Sequence, residues 1–165
     1  MQRRDKINYY LDIAETVLER GTCLRRNFGA IIVKNDQIVS TGYVGAPRGR
    51  TNCCDLAKCF REEQNIPRGT RYELCRSVHA EMNAIIHASR ADMIGSTLYL
   101  VGKEKESGEY IRNASPCAMC RRAIINAGIK NVIVRDTKDA YRNISVQDEW
   151  VLYGDIETEM MGYGS

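Results

Sequence analysis

Two short stretches of this sequence carry side chains that bind metal ions. His79 and Glu81 are separated by one residue, and Cys117 and Cys120 follow Pro116 in the order Pro-Cys-x-x-Cys. This spacing places both thiols in the first turn of a helix, where the helix dipole favours the metal-binding thiolate form. One imidazole and two thiolates supply three protein ligands to a tetrahedral ion. The fourth position is left for water, which is typical of a catalytic rather than a structural zinc site.

Glu81 lies two residues after His79, close to the predicted metal but not required as a ligand. A carboxylate there can accept a proton from an activated water and deliver it to a departing amine. His-x-Glu followed by Pro-Cys-x-x-Cys is the signature of zinc-dependent nucleobase deaminases. Taken separately, Cys-x-x-Cys could be a redox pair and His79 a hydrogen-bonded core residue. Their occurrence together, each at a predicted helix start, favours the deaminase interpretation.

The sequence around these residues resembles the cytidine and deoxycytidylate deaminase superfamily. The similar segments are Val-His-Ala-Glu-Met-Asn-Ala-Ile at 78–85, Pro-Cys-Ala-Met-Cys at 116–120 and Ala-Gly-Ile at 127–129. Gly-Ala-Ile-Ile-Val at 29–33 and Gly-Tyr-Val-Gly-Ala-Pro-Arg-Gly at 42–49 resemble the deoxycytidylate (dCMP) deaminases more narrowly. The resemblance covers roughly residues 20–136. It implies a five-stranded sheet flanked by helices, hydrolysis of dCMP to dUMP and, in many members, a hexamer.

Transferred position by position, the resemblance implies that His79, Cys117 and Cys120 bind a catalytic zinc and that Glu81 transfers protons. Members of the family usually have asparagine at the position of Val44, where its amide binds the sugar. Valine cannot make that hydrogen bond. The difference leaves open a deaminase of another small substrate, such as a free nucleoside, a pterin or an antibiotic.

A monophosphate substrate requires hydrogen-bond donors, and arginine offers a planar pair of them. Four arginines flank the segments that resemble the substrate-lining loops of the family: Arg25, Arg26, Arg48 and Arg50. Arg26, which closely precedes Ala30, is the first choice for the phosphate, although any single arginine can instead be a solvated surface residue. Ala30, Asn83 and Tyr99 are the other predicted substrate contacts. Asn83 can instead order local backbone, and Tyr99 can instead belong to the core.

The remaining thiols predict a second metal site. The chain has seven cysteines, and in a reducing compartment such clusters indicate metal binding or catalysis rather than disulfides. Some dCMP deaminases that resemble this chain bind a structural zinc with Cys and His residues in these regions. The resemblance therefore implies a closed four-thiolate site made of Cys23, Cys54, Cys59 and Cys75. Cys53 can replace Cys54, because the spacing does not decide between them, and ordinary buried thiols are the alternative.

Regular elements must position these side chains. The predicted elements are a helix over 5–20, strands over 28–33 and 38–43, a helix over 78–90, a strand over 96–101, a helix over 116–128 with Ser115 as its N-cap, and a strand over 132–134. Residues 45–77 lose periodicity and predict a long functional loop. The pattern weakens after Asp136, and residues 160–165 predict a frayed tail.

The alternation of strands and helices predicts an α/β protein. With the resemblance, we expect a three-layer α/β/α cytidine-deaminase-like fold with a central, mostly five-stranded mixed sheet. No internal repeat or domain boundary is evident, so residues 1–165 are expected to form a single domain.

The composition limits the other functional classes. The 165 residues carry a net charge of +3 and no sustained basic stripe with interleaved aromatic residues, which argues against a nucleic-acid partner. Related folds nevertheless act on bases of nucleic acids, and a non-catalytic zinc scaffold would not need Glu81. No apolar run is long enough for a membrane helix, and the N-terminus lacks a signal-peptide pattern. We therefore expect a cytoplasmic enzyme with a small nucleotide substrate, and the resemblance implies a homo-oligomer and a nucleoside triphosphate effector.

Overall fold

The structure is a computed structural model that describes residues 1–152. The strands of these residues are β1 (Arg26–Lys34), β2 (Gln37–Tyr43), β3 (Thr97–Glu104), β4 (Asn131–Arg135) and β5 (Tyr141–Ser145). The α-helices are α1 (Lys6–Leu18), α2 (Cys53–Leu56), α3 (Phe60–Glu63), α4 (Ala80–His87), α5 (Arg90–Met93) and α6 (Ala118–Ala127). A 3-10 turn (Tyr72–Leu74) and a π-helix (Val146–Val151) complete the described chain. The tail predicted over 160–165 lies outside the described residues.

The five strands form one mixed sheet in the order β2-β1-β3-β4-β5. Strand β1 is antiparallel to both β2 and β3, whereas β3 and β4 are parallel and β5 is antiparallel to β4. Parallel neighbours need a crossover connection, and α6 lies on the connection from β3 to β4. The five-stranded mixed sheet expected from the resemblance is confirmed, and β5 lies where the sequence pattern was weak.

Helices cover both faces of the sheet. Side chains alternate between the two faces of a strand, and in β1 the alternation separates Ala30 and Ile32 from Ile31 and Val33. Helix α1 packs on the face that carries Ile31 and Val33. Residues of α4 and α6 pack with Ala30 and Ile32 on the opposite face. The expected three-layer α/β/α arrangement is confirmed.

A glycine in β2 brings α4 unusually close to the sheet. A side-chain carbon at Gly42 would overlap the backbone of Ala80 and Ala84, so only glycine allows this approach. The buried Ser40 hydroxyl donates a hydrogen bond to the Ala84 carbonyl oxygen at the same contact. The helix predicted over 78–90 is interrupted at Ala88, whose backbone is extended, before α5 begins. This close packing fixes the start of α4 relative to β2.

On the other face, a fully buried arginine connects β4 to α1. Arg135 donates hydrogen bonds to Asp12 Oδ1 at 2.9 Å and to Asn8 Oδ1 at 3.1 Å. These hydrogen bonds partly compensate the cost of burying the positive charge of Arg135.

No helix within residues 1–152 is long and apolar enough to cross a membrane.

Candidate metal centre and active site

Three predicted ligands meet where α4 and α6 begin. His79 and Cys117 are the N-cap residues of these helices, and Cys120 lies in the first turn of α6. His79 Nδ1 is 3.5 Å from the sulfur of Cys117 and 3.5 Å from that of Cys120. A tetrahedral zinc separates sulfur and nitrogen ligand atoms by about 3.5–3.8 Å, given Zn–S of about 2.3 Å and Zn–N of about 2.0 Å. The three residues therefore fit a zinc ion.

This is the only group within residues 1–152 in which three His, Cys, Asp or Glu ligand atoms lie within 4.8 Å of one another.

The loop before α6 is fixed by Arg121, which donates to the Pro116 carbonyl oxygen at 2.9 Å and to Ser115 Oγ at 3.0 Å. Ser115 was the predicted N-cap of this helix, but Cys117 occupies that position. The helix thus begins at the first metal ligand, which brings the Cys117 sulfur to its positive end.

The electrostatics of the centre favour a thiolate next to a buried carboxylic acid. Hydrogen bonds from Cys120 and His79 lower the pKa of the Cys117 thiol well below its ordinary value. Burial raises the pKa of Glu81, and the nearby His79 only partly opposes this effect. Glu81 is 4% exposed and lines the same cavity as His79 and Cys117. A carboxyl group with a raised pKa next to a zinc site suits the transfer of protons.

The cavity in front of these residues combines apolar and basic walls. Phe28 and Val44 supply apolar surface, and four arginines reach it: Arg25, Arg26, Arg61 and Arg68. Tyr72 adds an aromatic side chain from the irregular segment. A cavity of this composition suits a ligand that has a flat ring at one end and negative charge at the other.

The predicted substrate residues are found in different places. Arg26 lines the cavity, where its Nε donates to Glu104 at 2.8 Å. Ala30 is fully buried in the core, and the Asn83 amide donates to the Tyr43 carbonyl oxygen at 2.8 Å. Tyr99 lies on the α1 face of the sheet, with its ring centroid 5.1 Å from that of Tyr10. The cavity lining does not include Ala30, Asn83 or Tyr99. Tyr99 cannot reach the cavity because its side chain points to the opposite face of the sheet, toward α1.

The other cysteines also gather, although less closely than the first set. The thiol of Cys53 is buried, and its pKa is raised by burial and by the nearby thiols of Cys75, Cys23 and Cys59. Cys54 is exposed, with its sulfur 3.9 Å from an Asp55 carboxylate oxygen. The structure thus favours Cys53 over the predicted Cys54 as a member of this group.

Several residues of the cavity, among them Arg61 and Tyr72, were missed by sequence reasoning. Arg61 and Tyr72 lie in the segment over 45–77, which was expected to be an irregular loop. The segment instead contains α2, α3 and a 3-10 turn, each only three or four residues long. Elements this short leave no detectable periodicity. The only signal was that such a long irregular segment tends to be functional.

The family model described as the cytidine and deoxycytidylate deaminase zinc-binding region matches residues 4–136. The chain belongs to this family. The match confirms the resemblance drawn from residues 78–85 and 116–120, which include the three ligands and the buried glutamate of the site described above.

Several relatives of this deaminase chain come from phages. The deoxycytidylate deaminase of Mycobacterium phage D29 is 34% identical over 137 residues, which cover 81% of this chain and 96% of that protein. The deoxycytidylate deaminase of Enterobacteria phage T4 is 30% identical, covering 81% of this chain and 79% of the relative. The crystal structure of the dCMP deaminase from the cyanophage S-TIM5, in complex with dCMP and dUMP, is 28% identical with a TM-score of 0.56. That alignment covers 83% of this chain and 85% of the other, and it supports the same layered fold.

Proposed function

We propose that this protein catalyses the hydrolytic deamination of dCMP to dUMP with release of ammonia. The observation that carries this proposal is the convergence of His79, Cys117 and Cys120 with the buried Glu81 at one cavity. The names of the phage relatives support dCMP as the substrate. The arginines of the cavity wall supply the positive charge that a monophosphate requires.

His79, Cys117 and Cys120 would hold the zinc through one nitrogen and two sulfur atoms. Bound in such a site, zinc lowers the pKa of a water molecule so that hydroxide is available near neutral pH. The Glu81 carboxylate accepts the proton of the water whose oxygen adds to C4 of the cytosine ring. It passes this proton to ring N3, and it then takes the second proton from the hydroxyl group now on C4 and delivers it to the exocyclic amine. The C4–N bond then breaks, ammonia leaves, and a uracil carbonyl remains.

The substrate is tested by measuring ammonia release with dCMP, CMP, deoxycytidine and cytidine, together with the zinc content of each chain. We expect dCMP to have the highest kcat/KM and zinc to be required. Val44, which lines the cavity, keeps the deamination of a free nucleoside as the second candidate. A preference for deoxycytidine over dCMP would select that alternative, and ammonia release by metal-free protein would contradict the zinc mechanism.

We also propose a second, structural zinc that would be held by Cys23, Cys53, Cys59 and Cys75. Burial and the nearby thiols of Cys75, Cys23 and Cys59 raise the pKa of Cys53, which supports this set, and the sulfurs would have to move closer together to bind one ion. The backbone N–H of Arg25 donates to the Cys23 sulfur at 3.4 Å, and such a bond stabilises a metal-binding thiolate. A closed four-thiolate site would also help to order the segment over 45–77, which has few regular elements.

Four further proposals follow, two from the family resemblance and two from the sequence. We propose that the protein is a homo-oligomer, with a hexamer as the form expected, and that a nucleoside triphosphate acts as an effector. We also propose that the chain forms a single domain and acts in the cytoplasm. Light scattering with and without added nucleoside triphosphates would test the first two of these proposals.

A further inference from the structure

Arg61 is a buried cation at the edge of the proposed active site. Its side chain projects from α3, is 4% exposed and lines the same cavity as His79 and Glu81. The guanidinium carbon lies 4.6 Å from the centroid of the Tyr72 ring. Two of its nitrogens, Nε and Nη2, are buried and have no hydrogen-bond partner among residues 1–152.

A guanidinium with two nitrogens that lack a partner among residues 1–152 is costly to bury. Each buried donor that lacks an acceptor costs free energy, and the cost is larger for a charged group. The contact with Tyr72 stabilises the cation but provides no acceptor for the two N–H groups. The planar guanidinium is instead suited to an oxyanion that accepts two parallel hydrogen bonds.

Two carboxylates near Arg61 have other partners. Glu62 forms an ion pair with Arg25 at 3.4 Å, and Glu73 forms one with Arg71. Arg26, the first choice from the sequence, is paired with Glu104 at 2.8 Å. Arg25 and Arg26 therefore each have a carboxylate partner, whereas Nε and Nη2 of Arg61 have no partner among the described residues 1–152.

The position of Arg61 relative to the metal centre also suits a nucleotide. The guanidinium lies 4.6 Å from the Tyr72 ring, and this ring lies 4.9 Å from the imidazole ring of His79. Because Tyr72 contacts both groups, the guanidinium carbon of Arg61 and the imidazole of His79 are separated by no more than about the length of a nucleoside. A pyrimidine whose amino group reaches the metal centre can thus extend its 5′-phosphate toward Arg61.

We infer that Arg61 is the phosphate-binding residue of this cavity and that it determines the preference for a nucleoside monophosphate over a free nucleoside. This inference rests on the proposed deaminase function. It replaces Arg26 as the principal phosphate contact and leaves Arg26 to hold the start of β1 against Glu104 in β3.

The test compares the wild-type holoenzyme with Arg61→Gln and Arg61→Lys. Exposed Arg20, which lies after α1, supplies the matched control Arg20→Gln. For each protein we would measure kcat/KM for dCMP and for deoxycytidine, the Kd of dUMP by calorimetry, and the zinc content. Calorimetry with the product reports phosphate binding independently of turnover.

For Arg61→Gln we expect kcat/KM for dCMP to fall roughly 10- to 100-fold and the Kd of dUMP to rise by a similar factor, because charge-assisted hydrogen bonds are lost. Turnover of deoxycytidine and the zinc content should stay near the wild-type values. Arg61→Lys keeps the charge but loses the paired donors, so it should fold like the wild type and bind dUMP with intermediate affinity.

Equal losses for dCMP and deoxycytidine, or unchanged dUMP affinity in both variants, would overturn the role of Arg61. A wild-type enzyme that releases ammonia from neither substrate would instead contradict the proposed function. The dUMP titration would still test the phosphate site in that case. If Arg61→Gln does not fold, the inference is tested with Arg61→Lys alone. An unchanged Kd of dUMP in Arg61→Lys then contradicts the inference.

Discussion

The ring of Tyr72 meets the imidazole of His79 edge to face, with the ring centroids 4.9 Å apart and the planes at 82°. Tyr72 belongs to a 3-10 turn of the irregular segment, and His79 begins α4. Groups that surround a metal ligand fix its orientation and thereby affect metal affinity. The irregular segment thus borders the candidate metal centre as well as the cavity.

This contact predicts that Tyr72→Ala weakens zinc binding. An aromatic pair contributes about 0.5–1.5 kcal/mol beyond its buried area, so we expect zinc affinity to fall roughly 2- to 12-fold. Tyr72→Phe keeps the ring and should lie closer to the wild type. Competition with a chromophoric chelator measures the affinities, and an alanine variant that binds zinc as tightly as the wild type would refute the predicted effect.

The buried Glu81 is expected to transfer protons without binding the metal. Glu81→Gln keeps the size of the side chain but removes its ability to exchange a proton, so kcat should fall about 100- to 10,000-fold while zinc content is retained. Ammonia release and metal analysis on the same sample provide the measurement. Exposed Glu19 supplies the control Glu19→Gln, which should behave like the wild type. Substantial turnover by the Glu81 variant would rule out its proposed role.

The adjacent cysteines Cys53 and Cys54 provide a matched pair for counting metal ions. Cys53 is buried with the other thiols, whereas Cys54 is exposed. We expect two zinc ions per chain in the wild type and in Cys54→Ser, but only one in Cys53→Ser, because three thiolates no longer close the site. Elemental analysis of the purified chains decides. One zinc in the wild type, or loss of the second ion in Cys54→Ser instead, would contradict the assignment.

The ion pair between Asp12 and Arg135 makes stability depend on pH. Burial acts to raise the pKa of Asp12, but hydrogen bonds from Arg4 and Arg135 outweigh it and lower the pKa below its ordinary value. A lowered folded-state pKa stabilises the protein above the unfolded value of about 3.9. This contribution is lost as the pH falls through the folded-state pKa, when the carboxylate becomes protonated.

We therefore expect Asp12→Asn to lower the free energy of unfolding at pH 7 by about 1–2 kcal/mol. The loss is smaller than for a fully buried pair because Asp12 is itself partly exposed. Urea unfolding between pH 2 and pH 7 should show this difference shrinking below about pH 4. Exposed Asp92 provides the control Asp92→Asn. A difference that does not change with pH would show that the charge of Asp12 contributes nothing.

The sequence by itself was sufficient for the candidate metal ligands, for Glu81 and for four of the five strands. His79, Cys117 and Cys120 could be predicted because each lies at a helix start, and a helix start is a local property with a local signature. Strands β1 and β3 were predicted in the same way from their apolar runs. The fifth strand, β5, has only one buried residue in five, so its pattern was too weak to detect without the resemblance.

Only the tertiary structure decided which side chains face the cavity. Arg61 and Arg26 are equally basic in the sequence. Within the part of the chain that the structure describes, two buried nitrogens of Arg61 lack a hydrogen-bond partner, whereas Arg26 is paired with Glu104. Tyr99 was expected at the substrate and instead packs on Tyr10. Cys53 and Cys54 are neighbours with opposite exposures. The burial and the hydrogen-bond partners of a side chain depend on residues far away in the chain, and these contacts cannot be inferred from spacing along the sequence.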